Sequence, residues 1–205
     1  MYGEKLFEKT IFSDLKEECI DTFGEKDGQE IFDCSCRICY DLIKNSGVSD
    51  RKLKKTVQSV IAPVVSYYKA LQQKGLNNAH AYQYTANLLY KRAEEKKAYY
   101  SIFLKAKEPY QRICDEIKAY TKKTHNKSGW QIKWNCFDEK GISFDFSTCF
   151  YKDMLEKYNC PELCSAFCQM DIIAFAGFQP SVSFERTKTL ASGQGVCEFR
   201  FIRGD

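Results

Sequence analysis

The sequence predicts an α+β protein in which N-terminal helices pack on a C-terminal β-β-α-α-β-β unit with a four-stranded antiparallel sheet. Apolar residues recur at helical spacing up to residue 125, and the period changes to two after the polar segment 121–129. Gly (11) and Pro (4) are too scarce for a loop-rich β scaffold, and aromatic residues (15%) are numerous enough to fill a core. We expect a single domain, 1–205, with a helical part at 1–125 and an α+β part at 126–205.

The helical part divides at residues that commonly begin or end helices. Leu6, Ile11 and Leu15 lie near helical spacing, and Gly24 is expected to end that first helix. A later helix begins at Ser49 or Asp50 as its cap, and Pro63 inside it predicts a kink. The predicted helices are, in order, 6–23, 29–44, 50–74, 77–106 and 109–122.

The C-terminal part alternates between two structural periods. Strict alternation on both sides of the turn Asp138–Gly141 predicts an antiparallel hairpin, and a second hairpin is predicted around ASGQG, residues 191–195. Two stretches of helical spacing separate these hairpins. The predicted elements are, in order, strands 130–136 and 142–148, helices 151–158 and 160–176, and strands 181–190 and 196–203.

The charge balance and the shortness of the apolar runs indicate which classes of partner to expect. The chain has 31 Lys+Arg against 27 Asp+Glu, which lacks the basic excess of a nucleic-acid-binding protein, so no such partner is expected. No apolar run approaches the roughly 20 residues of a membrane span. The N-terminal sequence MYGEKLFEKTIF does not resemble a signal peptide. We therefore expect a cytoplasmic protein with no membrane partner and with reduced cysteines; a homo-oligomer is compatible with these features.

Eleven cysteines and only two histidines are the most unusual feature of the composition. The odd number excludes complete internal pairing. The hypothesis for most of them is packing, and Cys160 and Cys164 are left open. His80 is interpreted as a packing residue and His125 as a solvated loop residue. The packing group is Cys19, Cys34, Cys36, Cys39, Cys114 and Cys136.

The remaining three cysteines are predicted to converge near one carboxylate. Cys168 and Asp171 lie three residues apart in predicted helix 160–176, next to its apolar stripe, where a carboxylate needs a partner. Cys149 ends the second predicted strand and Cys197 begins the last one. The four side chains would form a reasonable ligand set for a divalent metal, Zn or Mn. The alternative is a set of separately buried thiols.

An arginine is predicted on an otherwise apolar strand face. Arg186 lies on the side of Val182 and Phe184 in the third predicted strand, where a guanidinium is costly unless it is paired. A substrate carboxylate would match it bidentately. Asp171 is an equally good internal partner, so both alternatives stay open.

Three motifs resemble those of the L-2-amino-thiazoline-4-carboxylic acid hydrolase family. They are an F-C-x-x-D helix at Phe167–Asp171, an R-x-x-T-L-A-x-G hairpin at Arg186–Gly193 and a C-[DE]-F-R strand at Cys197–Arg200. The last motif more often has Asp where this chain has Glu198. The order of elements also resembles the fold of the 4-vinyl-reductase and TRAPP superfamily.

The resemblance implies a hydrolase that opens a cyclic amidine such as 2-aminothiazoline-4-carboxylate toward N-carbamoyl-cysteine. Asp171, Cys168 and Cys197 would then be catalytic, and Arg186 and Thr189 would bind the small-molecule substrate. The cysteines would either hold a metal that activates water or supply a nucleophilic thiolate. Two other classes stay open: a non-catalytic module that binds a small molecule or hydrophobe, and an assembly protein.

Overall fold

The computed structural model describes residues 4–124 and 129–204. These residues form an α+β fold with a four-stranded antiparallel sheet, which confirms the predicted fold class. Residues 125–128 of the predicted polar linker, including His125, lie outside the described residues. The helices are α1 (Glu4–Phe7), α2 (Leu15–Phe23), α3 (Glu25–Lys44), α4 (Arg51–Thr56), α5 (Ala62–Gln73), α6 (Asn78–Ser101), α7 (Pro109–Thr124), α8 (Phe150–Lys157) and α9 (Leu163–Phe175). The strands are β1 (Ile132–Phe137), β2 (Gly141–Phe146), β3 (Val182–Glu185) and β4 (Cys197–Arg203).

The chain forms two compact units. The first extends to Leu88 and includes Met154–Leu163. The second consists of Leu89–Asp153, apart from its undescribed residues, and the chain from Cys164 onward. None of the described helices is long and apolar enough to cross a membrane.

The first unit is helical, and its N-terminal segment differs from the prediction. One helix was expected over 6–23, but α1 and α2 are separate. Thr10 explains the break, because its hydroxyl donates to the Phe7 carbonyl at 2.9 Å and accepts from the Phe12 N–H at 3.2 Å. This local bonding gives the backbone an alternative to continuing the helix.

The third predicted helix is capped where expected. The Asp50 carboxylate accepts from the N–H groups of Lys52 and Leu53 at 2.8 and 2.9 Å, so Asp50 is the cap of α4. A π-helical turn, Val57–Ile61, joins α4 to α5, and Pro63 lies in the first turn of α5. The helical geometry therefore changes beside the proline, where a proline is tolerated.

The second unit contains the sheet, whose strand order is β1-β2-β4-β3. On β2 the buried residues are Ile142, Phe144 and Phe146, so the predicted alternation is confirmed there. Phe144 is opposite Phe199 of β4, and their rings stack with centroids 5.1 Å apart. The two central strands thus place one aromatic face in the core of this unit.

Two predicted strand boundaries are wrong, and both affect the candidate site. β2 ends at Phe146, so Cys149 is not at a strand end. It immediately precedes α8, and its carbonyl accepts the N–H of Asp153 at 3.1 Å. β3 is only Val182–Glu185, so Arg186 follows the strand instead of lying within it. The chain leaves the sheet there and returns at Cys197.

Within the second unit, an aromatic cluster joins the end of α6, the end of α9 and strand β4. The ring of Tyr100, from α6, is 4.5 Å from that of Phe178 and is stacked on that of Phe175 at 5.8 Å. Phe175 also contacts Phe201 of β4, with centroids 5.0 Å apart. These contacts fix the end of α6 against α9, the helix that contributes most of the candidate site residues.

Candidate functional site

Asp171 and Arg186 form the centre of the candidate site. Arg186 Nη2 donates to Asp171 Oδ2 at 2.7 Å, and Nη1 donates to the Cys168 carbonyl at 3.4 Å. Only 2% of the Arg186 side chain is exposed, against 28% of Asp171. A substrate carboxylate and Asp171 were the two partners considered for Arg186, and Asp171 is the one that pairs with it here. The Nε atom of Arg186 is buried and has no hydrogen-bond partner, which leaves one donor of the guanidinium unused.

The guanidinium is also held by aromatic rings. Its carbon lies 4.3 Å from the ring centroid of Phe199 and 5.1 Å from that of Phe184. Burial alone would lower the pKa of Arg186, but the adjacent Asp171 carboxylate more than offsets this and raises it. A permanent positive charge is thus fixed beside Asp171, on the face of the sheet.

Three thiols lie beside this ion pair. Cys164 and Cys168 are one turn apart on α9, and Cys149 precedes α8. The Cys164 thiol lies near the thiols of both Cys149 and Cys168 and influences the pKa values of both. Since it has a single proton, it can donate to only one of them at a time. We call Cys149, Cys164, Cys168, Asp171 and Arg186 the thiol–carboxylate cluster.

The environment of Cys149 favours its thiolate. A hydrogen bond from the Cys164 thiol lowers the pKa of Cys149, and the backbone N–H groups of Lys152 and Tyr151 at the start of α8 lower it further. Desolvation acts in the opposite direction, and the resulting pKa is about 7. The residue is partly exposed, so a small molecule can reach it. The same hydrogen bonding raises the pKa of Cys164, which therefore stays protonated.

Cys168 has a weaker version of the same environment. The Cys164 thiol and the positive charge of Arg186 lower the pKa of Cys168, while burial and Asp171 oppose this effect. Cys168 is also partly exposed. The sequence motif therefore identified a residue of the cluster, and Cys149, which was also predicted to lie there, is the thiol whose pKa is lowered to about 7.

Cys197 is close to the cluster but is a poor nucleophile. It is buried at the start of β4, and burial raises the pKa of its thiol to about 11. Its sulfur accepts the N–H of Leu190 at 3.2 Å. This contact gives Cys197 a structural role, because it attaches the chain between β3 and β4 to the end of the sheet.

Thr189 stabilises the same segment, the chain between β3 and β4. Its hydroxyl accepts the Ser192 N–H at 3.1 Å and caps the short 3-10 turn Leu190–Ser192. Gly193 ends that turn with a φ of 73°, a left-handed conformation that suits glycine. The R-x-x-T-L-A-x-G motif thus describes a turn, and the Thr189 hydroxyl has local partners.

The residues predicted as metal ligands do not form a ligand group. Within 4–124 and 129–204, no three or more His, Cys, Asp and Glu side chains are arranged to hold a metal ion. The Asp171 carboxylate is instead paired with Arg186. The described side chains therefore do not form the metal site that the sequence predicted.

A lysine and two tyrosines near the cluster were not predicted from the sequence. Asp171 lies within electrostatic range of Lys96 on α6, Tyr120 on α7 and Tyr151 on α8. The tyrosines are only partly exposed, and desolvation raises the pKa of both phenols, so they stay neutral. Nothing in the local sequence distinguishes these residues from an ordinary helix surface. The pairing of Lys96 with Tyr100, four residues later, is the one pattern that could have drawn attention to it.

Comparison with known proteins places the chain in a family. The sequence model of L-2-amino-thiazoline-4-carboxylic acid hydrolase matches residues 54–201. The chain is also similar to the crystal structure of the Fe(II) unliganded H-NOX protein from K. algicida, with 11% identity over 95% of both chains and a TM-score of 0.38. A point mutant of that protein matches with 10% identity over 100% of this chain and 97% of the other, also with a TM-score of 0.38.

At that TM-score the H-NOX structures carry no conclusion about this chain, and no curated protein matches it significantly. The family match is of a different kind, because it covers most of the chain and includes every residue of the thiol–carboxylate cluster. The chain belongs to the L-2-amino-thiazoline-4-carboxylic acid hydrolase family.

Proposed function

We propose that the protein is a hydrolase that opens a small cyclic amidine, with 2-aminothiazoline-4-carboxylate as the substrate type, and that Cys149 is its nucleophile. The observation that carries the reaction type is the family match over residues 54–201. Within the matched residues, Cys149 is a partly exposed thiol that immediately precedes α8 and whose pKa is lowered to about 7. A large fraction of this thiol is ionised near neutral pH, and thiolates attack electrophilic carbons readily.

The first step is attack by the Cys149 thiolate on the amidine carbon, C2, of the ring. A bond forms between the enzyme sulfur and C2, the bond between C2 and the ring sulfur breaks, and the ring sulfur takes up a proton. The product is an isothiourea that joins Cys149 to the opened substrate. No substrate atom is lost in this step.

The second step is hydrolysis of that isothiourea. Water adds to C2, and the C2–S bond to Cys149 breaks, which returns the thiolate. The nitrogen-bearing carbon becomes the carbonyl of a urea, so the released product is N-carbamoyl-cysteine. Asp171, which lies in the same cluster and is partly exposed, accepts a proton from the attacking water.

Arg186 acts through Asp171 in this scheme. Its hydrogen bond at 2.7 Å holds the carboxylate in one orientation. The unpartnered Nε atom is a donor that a polar atom of a bound substrate would satisfy. Arg186 is therefore a positioning residue with one donor available for the substrate.

A non-catalytic binding module is the principal rival. Such a module would need an apolar enclosure with few charged groups, whereas here two thiols with lowered pKa, a carboxylate and an arginine converge in one unit. Convergent polar groups of this kind favour an enzyme.

The test is an assay of the full chain with 2-aminothiazoline-4-carboxylate, in which N-carbamoyl-cysteine is detected by mass spectrometry. Cys149→Ser is expected to lower kcat at least about a thousandfold. Cys136→Ser is the matched control, because that thiol is outside the cluster and bonds to Asp138. Absence of turnover by the wild-type protein, or full activity of Cys149→Ser, would refute the proposal. Loss of activity with a chelator that added metal restores would instead favour metal-activated water.

A further inference from the structure

The side chain of Lys96 is held between two aromatic rings. Its Nζ atom lies 5.0 Å from the ring centroid of Tyr120 and 5.4 Å from that of Tyr100. Both distances are within the range of a cation–π interaction. These rings restrict a side chain that would otherwise be mobile, and they come from α7 and from the next turn of α6.

Lys96 differs from its neighbours on α6 in lacking a carboxylate partner. Lys97 pairs with Glu94 at 3.0 Å, and Arg92 pairs with Glu95 at 2.6 Å. Lys96 makes no ion pair with any of the described residues. Its positive charge is therefore available for a ligand.

The surroundings of Lys96 combine solvent exposure with partial desolvation. The residue is solvent-exposed, yet the protein atoms crowded around it desolvate its ammonium group and lower its pKa. Asp171 and Glu116 are near enough to oppose that shift electrostatically. A cation in such a place is accessible to a small anion and less well hydrated than one on an open surface.

The thiol–carboxylate cluster itself has no free positive charge to compensate the negative charge of an anionic substrate. Asp171 is a carboxylate, Cys149 is partly ionised near neutral pH, and the charge of Arg186 is already used by Asp171. An anionic substrate needs a further cation. Lys96 makes no ion pair among the described residues. The two rings that hold it, Tyr100 and Tyr120, both contact Phe175 on α9, the helix that carries Asp171, with centroids 5.8 and 6.3 Å apart.

We infer that Lys96, positioned by Tyr100 and Tyr120, forms the subsite for the carboxylate of a small ring substrate. This inference rests on the proposed function for the identity of the ligand. Lys96 binds the charged group remote from C2, so its contribution is to substrate affinity and to the preference for acids over their uncharged analogues. It takes no part in bond breaking.

The experiment measures binding of L-thiazolidine-4-carboxylate by calorimetry to the full chain. This saturated ring has the carboxylate but no amidine carbon, so it cannot undergo the proposed attack at C2, and failure of the proposed reaction leaves the measurement valid. Lys96→Met is expected to weaken binding by about tenfold or more, because a charge-assisted hydrogen bond is lost. Lys96→Arg should recover most of the affinity.

Two controls separate a binding role from a packing role. Thiazolidine without the carboxylate should bind the wild-type protein and Lys96→Met alike. Lys97→Met removes a neighbouring, partly exposed lysine that is paired with Glu94, and it should bind the acid as the wild-type protein does. The inference is overturned if the wild-type protein does not bind the acid, if Lys96→Met binds it unchanged, or if Lys96→Met weakens both ligands equally.

Discussion

The Nη2 atom of Arg186 lies 2.7 Å from Oδ2 of Asp171, while Nε of the same guanidinium is buried without a partner. A buried charge with a single strong partner depends heavily on that partner. The two residues should therefore behave as a unit in stability as well as in activity.

Removal of Asp171 alone should destabilise the protein more than removal of the whole pair. Asp171→Ala leaves a guanidinium that is only 2% exposed without its carboxylate, and we expect a loss of about 3 kcal/mol in the free energy of unfolding. The double variant Asp171→Ala/Arg186→Met should return to within about 1 kcal/mol of the wild type. Urea denaturation measures both values. Equal losses in the single and double variants would show that the ion pair is not the cause.

Alkylation of Cys149 should follow an unusually low pH midpoint. Its pKa of about 7 lies below the ordinary thiol value of 9.0, so the reactive thiolate is depleted only below about pH 7. Iodoacetamide labelling, mapped by peptide mass spectrometry, should therefore reach half of its maximal rate near pH 7. Cys197, whose pKa is raised to about 11, should stay unlabelled at pH 8. A midpoint near 9 for Cys149 would contradict the geometry of the cluster.

The reactivity of Cys149 should depend on Cys164. Cys164→Ala removes the thiol that donates to Cys149, so the pKa of Cys149 should rise and its alkylation at pH 7 should slow several-fold. The backbone donors at the start of α8 remain in this variant. Cys164→Ser keeps a donor at the same place and serves as the matched comparison. An unchanged rate in Cys164→Ala would mean that the helix N-terminus alone sets the pKa.

The close packing of α6 against the turn after α9 should leave no room for a methyl group at Gly177. A Cβ atom at Gly177 would lie 2.3 Å from the Lys97 carbonyl oxygen and 3.0 Å from Cβ of Tyr100. Gly177→Ala should therefore lower the free energy of unfolding by about 2 kcal/mol. Because Tyr100 supports Lys96, it should also weaken binding of the carboxylate ligand. Stability equal to that of the wild type would show that the contact can relax.

Local patterns predicted the fold well where one face of an element is buried. The alternation on β2 appears directly as the burial of Phe144 and Phe146, and Asp50 caps a helix as its side-chain chemistry predicts. The predicted boundaries are wrong where a side chain interrupts the backbone pattern. Thr10 divides the first helix, and the Thr189 turn shortens the third strand.

The site was predicted only in part, since residues distant in sequence form it. Asp171 and Arg186 were identified as possible partners because a charge near a core must be paired, and they are paired. Cys164 was left undecided, because its environment depends on Cys149, which immediately precedes α8 and is distant in sequence. Lys96 was missed because its distinction is the lack of an ion pair, which only the folded chain reveals.

The most direct test of the central claim is intact-mass analysis of the full chain quenched during turnover of 2-aminothiazoline-4-carboxylate. Since the first step loses no substrate atom, we predict a species heavier than the protein by the whole mass of the substrate, with the modification on Cys149 after proteolysis. The same species should be missing from Cys149→Ser. Turnover with no adduct in the wild-type protein and undiminished activity in Cys149→Ser, or an adduct on another residue, would contradict the account.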